Sequence, residues 1–429
     1  MLYVENMRDV DATTWDRLLL DSPGGGHPLQ THAWGEFKAT QGWKPLRLAL
    51  KDDSSGDVLG VGQLLLRAIP GTTGKIAYCP KGPWVDWSSA AQTRAMLEGM
   101  AHFARRQGAY LLKVESELLA GPGQPTDVPP NVDATIGRAL NVARRLRHTA
   151  GAGHAAPESD KPEKDKSEKE DKRVDEARAA LRAARAAGQH DGHTPGRTAF
   201  AELGFSKALW DNQFRTTMVV DIDRAPDEIL ARMHQKWRYN VKLARRKGVT
   251  VIQDDSRAGR ERLYDIYTRT AQRDGFMLRP KSYFMDAWDT MIDAGHAHLF
   301  FACYEGRPLA GLLAQTFGHK VEYRVGASET EGRNVMPAHA LQYHVMQWAH
   351  EHGKTYYDLV AIPNLESLEA LGAEDPMWNL YIFKAGFGAR PVEWVGCLDK
   401  TLDPRGAAWE ALEPAYYRIY KWRTRDSLY

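Results

Sequence analysis

The 429-residue sequence predicts an α/β (α+β) protein with two similar domains in tandem, each a mixed β-sheet covered by helices. Three observations predict this architecture. Helix-like and strand-like hydrophobic patterns follow the same order in both halves, and matching segments recur at a nearly constant spacing. A charged stretch rich in proline and glycine also interrupts the first half. The length is sufficient for two or three domains.

Composition and charge are typical of a globular enzyme. The formal net charge is +2, and 43% of the residues are hydrophobic, so the chain is not a uniformly basic nucleic-acid-binding protein. Cys79, Cys303 and Cys397 lie far apart without metal-ligand spacing, which predicts no metal site and no disulfide framework. No signal peptide or membrane-spanning window is recognisable. We expect a cytoplasmic protein that can still dock at the inner face of the membrane.

The first half is predicted to contain helices, a β-meander, another helix and a buried strand. Runs of alternating or continuous apolar residues bounded by turn residues predict the strands, and apolar residues at helical spacing predict the helices. The predicted strands are 43–52, 58–71, 75–86, 109–115 and 213–222. The predicted helices are 11–21, 27–43, 89–107 and 198–205.

The second half repeats this order of elements. The predicted helices are 226–248, 261–273, 282–294, 337–353 and a final aromatic, basic helix that ends at Tyr429. The predicted strands are 249–253, 298–306, 307–318, 319–328, 355–362 and 391–399. This succession again predicts a meander, a helix and a buried strand.

The helix predicted at 226–248 combines an apolar stripe with a strip of cations. The stripe consists of Leu230, Met233, Trp237, Val241 and Ala244. The cations are Arg232, Lys236, Arg238, Lys242, Arg245, Arg246 and Lys247, with no carboxylate among them. Two interpretations stay open: a solvated basic surface, or a site for phosphate, diphosphate or nucleic acid.

Residues 121–194 have a different composition and are predicted to be an insertion. Two segments rich in Ala and Arg flank a charged low-complexity stretch, which predicts a helical hairpin with a disordered tip. The predicted domains are therefore 1–120 plus 195–222 for the first and 223–429 for the second. The hairpin could contact RNA phosphates or be a tolerated solvated insertion. Its arginines are Arg138, Arg144, Arg145, Arg147, Arg178, Arg182 and Arg185.

An internal repeat supports both the duplication and the insertion. Gly62 and Gly311 occupy matching segments 249 positions apart, and Glu115 and Asp358 are 243 positions apart. Phe205 and its counterpart Phe387 are separated by only 182 positions. The spacing between matching segments therefore decreases between Glu115 and Phe205, where the insertion lies. Each repeat has the order of elements found in GNAT-like acyltransferases.

Five motifs in this order resemble the Fem family, the peptidoglycan bridge-forming aminoacyltransferases. They are LQTHAWGEFKATQGW, KWRYNVKLARRKGV, VEYRVGAS with the helix after it, YYDLVAIP, and NLYIFKAGFGARPVEWVG. The resemblance covers nearly the whole chain except about residues 120 to 195. It implies two GNAT-like domains and transfer of an amino acid from aminoacyl-tRNA to a side-chain amine of a precursor stem peptide. The precursor would be a UDP-linked muropeptide or its lipid-linked form.

The resemblance also implies roles for individual residues. Lys38 matches the lysine that binds the precursor diphosphate, and Trp34 lies on the same helix. Lys384 and its neighbour Phe383 match the FK motif next to the transfer chemistry. Asp358 matches the carboxylate of the Tyr-Asp strand. A glutamate, Glu115, stands where many relatives carry aspartate, which leaves its role open.

Physical reasoning adds candidates for the same chemistry. An aminoacyl ester is already activated, so the protein must position the amine and stabilise oxyanion charge, and no resident cofactor is expected beside the aminoacyl-tRNA co-substrate. Lys384 is the candidate cation, and Glu115 or Asp358 the candidate carboxylate that orients the amine. Arg324 could join Lys38 and Lys384 at a diphosphate. Arg238 and Lys242 could contact the precursor or tRNA.

The predicted function is a tRNA-dependent aminoacyltransferase in peptidoglycan synthesis. Two alternatives remain open: a GNAT-type N-acyltransferase with another acyl donor, and a non-catalytic protein that binds tRNA or other RNA. The pyrophosphate-binding loop of acetyl-CoA enzymes is missing from the sequence, which disfavours an acyl-CoA donor.

Overall fold

A computed structural model describes residues 1–120, 193–364, 367–368, 371, 374–424, 426 and 429. Nearly all of the insertion predicted at 121–194, including its two helices and its arginines, lies outside the described residues.

The first half of the chain contributes four helices and seven strands to the described structure. The helices are α1 (Ala12–Asp21), α2 (His32–Thr40), α3 (Ala90–Arg106) and α4 (Thr194–Glu202). The strands are β1 (Leu2–Asn6), β2 (Lys44–Asp52), β3 (Val58–Ala68), β4 (Lys75–Pro80), β5 (Ala109–Glu115), β6 (Ser206–Lys207) and β7 (Thr216–Asp221). Strand β1 was not predicted from the sequence.

The second half has the same alternation of helices and strands. Its helices are α5 (Pro226–Arg232), α6 (Gln235–Arg246), α7 (Arg257–Asp274), α8 (Lys281–Asp293), α9 (Pro337–Glu351), α10 (Trp378–Ala385) and α11 (Pro404–Thr424). Its strands are β8 (Thr250–Gln253), β9 (Ala297–Tyr304), β10 (Arg307–Phe317), β11 (Lys320–Ser328), β12 (Tyr356–Ala361), β13 (Arg390–Glu393) and β14 (Leu398–Thr401).

The strands form two sheets with the same topology, which confirms the duplicated α/β fold. The first sheet has the order β1-β2-β3-β4-β5-β14-β6, and the second has β8-β9-β10-β11-β12-β7-β13. In each sheet a meander is followed by one parallel pair, β4 with β5 or β11 with β12. Antiparallel strands then complete the sheet.

The two halves exchange one strand at the sixth position of each sheet. Strand β7 lies between β12 and β13 of the second sheet, and β14 lies between β5 and β6 of the first. The boundary expected at residue 222 therefore does not separate the sheets, because β7 precedes it and belongs to the second. The single strand predicted at 391–399 is also wrong: it is two strands, β13 and β14, in different sheets.

The basic helix predicted at 226–248 is also divided. The chain becomes extended at Met233 (ψ 153°) between α5 and α6. The amide of His234 donates to the carbonyl of Gly386, and Arg238 donates to the carbonyls of Ala231 and Met233. These bonds satisfy backbone groups at the break, so two short helices replace one. The apolar stripe stays buried: Met233, for example, is in the core of the second domain.

A separate hydrophobic cluster joins the two domains. Trp34 and Phe37 of α2 pack with Leu263 of α7 and with Met285 and Trp288 of α8. Burial of each large apolar side chain contributes roughly 1.5–3 kcal/mol. This packing fixes α2, the helix that carries Lys38, against the second domain.

Candidate functional site

Polar residues line the second sheet where it faces the first domain. In β11, Lys320, Glu322 and Arg324 alternate and therefore point to the same face. The ammonium of Lys320 donates to Glu117 of the first domain at 2.8 Å. Buried His27 lies 3.8 Å from both Glu117 and Glu322. We call this contact zone the interdomain seam, defined by these five residues and the groups bonded to them.

Charge pairing within the seam overcomes the cost of burial for one carboxylate. Burial alone would raise the pKa of Glu117, but Lys320 and Lys81 hold that pKa at about 2. Burial lowers the pKa of His27 to about 4, so this imidazole is neutral near pH 7. The seam thus contains a paired carboxylate that stays ionised at physiological pH.

Glu115 lies at the end of β5 in a small hydrogen-bonded network. Its carboxylate accepts the Tyr78 hydroxyl at 2.6 Å and the Gln213 amide N–H at 2.8 Å. The Gln213 side chain also contacts the Arg324 guanidinium at 3.4 Å, which links Glu115 to the second domain. Burial raises the pKa of Glu115 to about 7 despite these two donors. Glu115 can therefore exchange a proton near neutral pH.

Asp358 occupies the equivalent position in β12. Its carboxylate accepts the Thr217 hydroxyl and, at 2.6 Å, the Val360 amide N–H. Burial, with a smaller contribution from the charge of Glu322, raises the pKa of Asp358 to about 6. Both repeats therefore hold a buried carboxylate that accepts one hydroxyl and one backbone N–H.

Lys384 lies in the last turn of α10. Its side chain is buried, and Nζ donates to the carbonyls of Ala361 at 2.6 Å and Val360 at 3.2 Å. Burial lowers its pKa to about 7, against the opposing effect of the Asp358 carboxylate. The Tyr323 ring lies 6.0 Å away. The structure thus brings Lys384 and Asp358 together.

The two central strands separate beside this lysine. Strands β11 and β12 are paired only from 320–322 to 356–358. Beyond this point β12 also shifts register against β7, and Val360 has φ +58°. Positive φ is uncommon for a β-branched residue and is typical of functional sites. The separation leaves carbonyls of β12 free to accept from Lys384.

Lys38 is buried among aromatic rings at the domain junction. Its ammonium lies 5.3 Å from the Trp43 ring and 5.8 Å from the rings of Trp34 and Tyr283. Burial and the nearby Arg279 and Arg67 lower the pKa of Lys38 to about 7. Three cationic side chains therefore meet at this end of the molecule, which we call the Lys38 cluster.

The Lys38 cluster is connected to the seam through aromatic contacts. Trp43 contacts the Tyr78 ring at 6.4 Å, and Tyr78 donates to Glu115. Burial raises the pKa of Tyr283, whose ring borders Lys38, and the charge of Arg324 opposes this rise. Lys38 and Lys384 are both buried, and Lys38 is linked to Glu115 through Trp43 and Tyr78 whereas Lys384 lies beside Asp358.

The remaining predicted residues have less direct positions. Phe383 packs on His339 and Phe387, and its carbonyl accepts the Trp237 indole N–H at 3.0 Å. Arg238 is engaged by backbone carbonyls at the break between α5 and α6. Lys242 is exposed on α6, away from the buried groups of the seam.

Several residues of the site were not found from the sequence. Tyr78, Gln213 and Tyr323 are scattered, and only the fold brings them beside Glu115 and Lys384. Arg67 and Arg279 reach Lys38 from different domains. A usable signal was present in β11, where Lys320, Glu322 and Arg324 alternate within an otherwise apolar strand.

A cavity of about 490 Å³ lies at one end of the seam, lined by residues of both domains. Its walls include Glu117, Lys320 and the aromatic rings of Trp84, Tyr356 and Trp394. The Lys320 ammonium lies 4.3 Å from the Trp84 ring. The described residues contain no group of three or more His, Cys, Asp or Glu suited to hold a metal ion. No helix in the described part of the chain has the length and apolarity to cross a membrane.

Comparisons with known proteins agree with this arrangement. The model of the FemAB family matches residues 16–124, and that of the acetyltransferase (GNAT) domain matches residues 231–371. The chain is 24% identical to a lipid II:glycine glycyltransferase of Staphylococcus aureus strain USA300, over 88% of this chain and 89% of that protein. The corresponding protein of strain MRSA252 is 24% identical over 90% of this chain and 91% of its own length.

A solved structure shows the same fold over nearly the whole chain. The crystal structure of FemX matches with a TM-score of 0.70 and 22% sequence identity, covering 95% of this chain and 100% of FemX. The tandem arrangement of two GNAT-like domains predicted from the internal repeat is therefore confirmed.

Proposed function

We propose that the chain is a FemAB-family enzyme that transfers an amino acid from aminoacyl-tRNA to a peptidoglycan precursor. The acceptor would be the lysine- or ornithine-type side-chain amine of the stem peptide, and the product an interpeptide bridge. The glycyltransferase relatives and the GNAT domain support an enzyme that transfers aminoacyl groups. The observation that carries the proposal is the buried ammonium of Lys384, which the Ala361 carbonyl holds beside the carboxylate of Asp358.

The second domain supplies groups suited to the donor ester. In the reaction the amine nitrogen forms a bond to the ester carbonyl carbon, the C–O bond breaks, and the tRNA ribose hydroxyl takes a proton. Lys384 is the cation that stabilises charge on the carbonyl oxygen, because a buried ammonium acts strongly in a medium of low polarity. Asp358 orients the attacking amine and accepts its proton, with a pKa of about 6 that suits this exchange.

The first domain supplies groups suited to the acceptor. A diphosphate with about two negative charges would match the three cations of the Lys38 cluster, since each charge-assisted contact is worth roughly 1.5–3 kcal/mol. Its anionic charge would also raise the lowered pKa of Lys38 and favour the ammonium form. Glu115, which is bonded to Tyr78 and linked through Gln213 to Arg324, would contact the stem peptide.

The exposed cations of α6 would contact the tRNA backbone. Lys242, Arg245 and Arg246 of α6 and Lys247 directly after it are all exposed, and no ion pair of theirs occurs within the described residues. Because no carboxylate neutralises this strip, it would attract phosphates in a salt-dependent manner. The reaction would need no resident cofactor and would take place in the cytoplasm, where charged tRNA is present.

One reconstitution tests the proposal. The purified protein is incubated with glycyl-, seryl- or alanyl-tRNA and with UDP-linked or lipid-linked precursor, and the products are analysed by mass spectrometry. We expect a branched peptide with one of these pairs. Acetyl transfer from acetyl-CoA would instead support a different acyl donor. If the protein binds charged and uncharged tRNA equally well in a salt-sensitive manner and forms no product, the result would support a non-catalytic RNA-binding protein.

A further inference from the structure

The last helix carries large apolar side chains on its solvent face. Leu412, Ile419 and Trp422 are 62%, 60% and 82% exposed. Their spacing of seven and then three residues places them on one face of α11. Single exposed apolar residues are ordinary, but an aligned set that ends in an almost fully exposed tryptophan indicates an interaction surface.

Exposed cations surround this apolar stripe. Arg418, Lys421 and Arg423 are all exposed, and no ion pair of theirs occurs within the described residues. The sequence contains no Asp or Glu from 414 to 425. A helix with apolar residues on one face, flanking cations and a tryptophan has the composition of an interfacial helix that binds anionic lipid.

A second set of apolar side chains lies close to the end of this helix. Phe276 and Met277, in the loop between α7 and α8, are 41% and 46% exposed. Two residues later, Arg279 forms an ion pair with Asp426 at 3.3 Å, four residues after Trp422. This ion pair therefore brings the loop and the end of α11 to the same part of the surface.

The inner face of α11 borders the Lys38 cluster. The Tyr420 ring lies 5.5 Å from the Arg67 guanidinium, and its hydroxyl accepts from Arg67 at 3.3 Å. The ion pair of Arg279 with Asp426 adds a second contact to the same cluster. One helix thus contacts the candidate diphosphate site with one face and presents apolar and cationic groups to solvent with the other.

We propose that Leu412, Ile419 and Trp422 of α11, together with Phe276 and Met277, dock the protein on an anionic lipid bilayer. The inference rests on the proposed function for one step: in a lipid-linked precursor the diphosphate is attached directly to the lipid, so its binding site must lie at the bilayer surface. The surface described here borders that site. Its positive charge complements anionic lipid, which favours a bilayer over a second copy of this basic face.

Vesicle sedimentation tests the docking surface. The full chain is mixed with vesicles of phosphatidylcholine alone or with about 30% phosphatidylglycerol, and the bound fraction is measured at low and high salt. We expect binding to the anionic vesicles that weakens with salt, and a reduction of about tenfold or more in the Ile419→Ser/Trp422→Ser double variant. The Ile252→Ser variant, which removes an exposed apolar residue of edge strand β8 (44% exposed), should bind like the wild type.

Activity assays separate failure of this inference from failure of the proposed function. The double variant should transfer normally to precursor in detergent micelles and poorly to precursor in vesicles. Equal vesicle binding by wild type and double variant, or none by either, would overturn the docking surface whatever the transfer assay shows. The wild type could instead form a dimer in sedimentation velocity that is lost in the double variant, and bind no vesicles. This result would assign the surface to a second copy of the chain and would also overturn the proposed docking on lipid.

Discussion

The side-chain nitrogen of Lys384 lies 2.6 Å from the carbonyl oxygen of Ala361, where strand β12 has left its partner β11. This bond fixes a buried amino group with a lowered pKa beside the carboxylate of Asp358. The lysine is therefore held in place before any substrate binds, as electrostatic stabilisation of a transition state requires.

Replacement of this lysine should slow transfer strongly without unfolding the protein. In Lys384→Met the cation at the ester carbonyl is lost, and we expect kcat to fall by about 100-fold or more. Precursor binding should be retained. Lys354→Met is a matched control, because Lys354 also donates to a backbone carbonyl, that of Gly318 at 2.7 Å, outside the seam. Single-turnover transfer and thermal unfolding are the measurements; normal kcat in Lys384→Met would remove this residue from the chemistry.

Lys38→Met should weaken precursor binding by about 10- to 100-fold, since one charge-assisted contact to the diphosphate is worth roughly 1.5–3 kcal/mol. The melting temperature should stay the same or rise, because a buried ammonium surrounded by aromatic rings is replaced by an apolar side chain. Calorimetric titration with UDP-linked muropeptide measures the affinity, with the exposed Lys44→Met as control. Unchanged affinity in a folded Lys38→Met protein would exclude Lys38 from the site.

The pH profile should report both lysines. Burial lowers the pKa of Lys38 and of Lys384 to about 7, so each loses its charge as the pH rises from 6 to 8. If both lysines act as cations, kcat/KM of the wild type falls with rising pH as two protons are lost. In Lys38→Met it falls as only one proton is lost. The acceptor amine titrates equally in both, so the ratio of the two profiles isolates Lys38. A ratio independent of pH from 6 to 8 would contradict the cationic role.

Glu115→Gln should change the pH dependence of stability. The pKa of Glu115 is raised from 4.5 to about 7, so between these values the folded state binds more protons than the unfolded state. The wild type therefore loses stability as the pH rises from 4.5 to 7, by about 3 kcal/mol from this group. The glutamine oxygen can still accept the Gln213 N–H and its NH2 group can donate to the Tyr78 hydroxyl oxygen, and the side chain has no charge to bury. Urea unfolding at pH 5 and pH 8 should show the variant gaining relative to wild type at pH 8; equal differences at both pH values would contradict this.

A short linker should be able to replace the insertion. Its two ends are held together, since the Leu119 amide donates to His193 at 3.1 Å and Arg197 donates to the Leu119 carbonyl at 2.8 Å. We expect a variant with a Gly-Ser linker in place of residues 131–190 to fold and to melt within a few degrees of the wild type. Circular dichroism would reveal gross unfolding, which would show that the insertion belongs to a core. Filter binding to tRNA would then decide between the RNA-contacting and the solvated interpretation.

Much of the fold was predictable because its signals are local. The meander strands and α3 have strong hydrophobic periodicity, and the internal repeat indicated which elements of the two halves correspond. The exchange of β7 and β14 was not predictable, since strand pairing depends on contacts between segments that are distant in the sequence. The break at Met233 was missed because it is stabilised by the Gly386 carbonyl, which is remote in sequence.

The candidate site was predictable only where a motif marked it. Lys38, Asp358 and Lys384 were found by resemblance, and the structure places each in a buried position with a shifted pKa. The side chains around these three residues are brought together only by the tertiary fold. Arg279 follows a loop with no distinctive pattern, and its approach to Lys38 depends on the packing of α2 against α8. The contribution of Arg238 to the α5–α6 junction likewise requires the broken helix.

The exchange of strands between the sheets has a consequence for biosynthesis. Within the described part of the chain, the edge strand β6 pairs with the rest of its sheet only through Leu398 and Asp399 of β14. The first sheet therefore cannot be completed until a ribosome has translated β14, which follows the strands of the second sheet in the chain. Neither half, expressed as a separate gene fragment, would contain all the strands it needs, whereas two fragments produced together could complement each other.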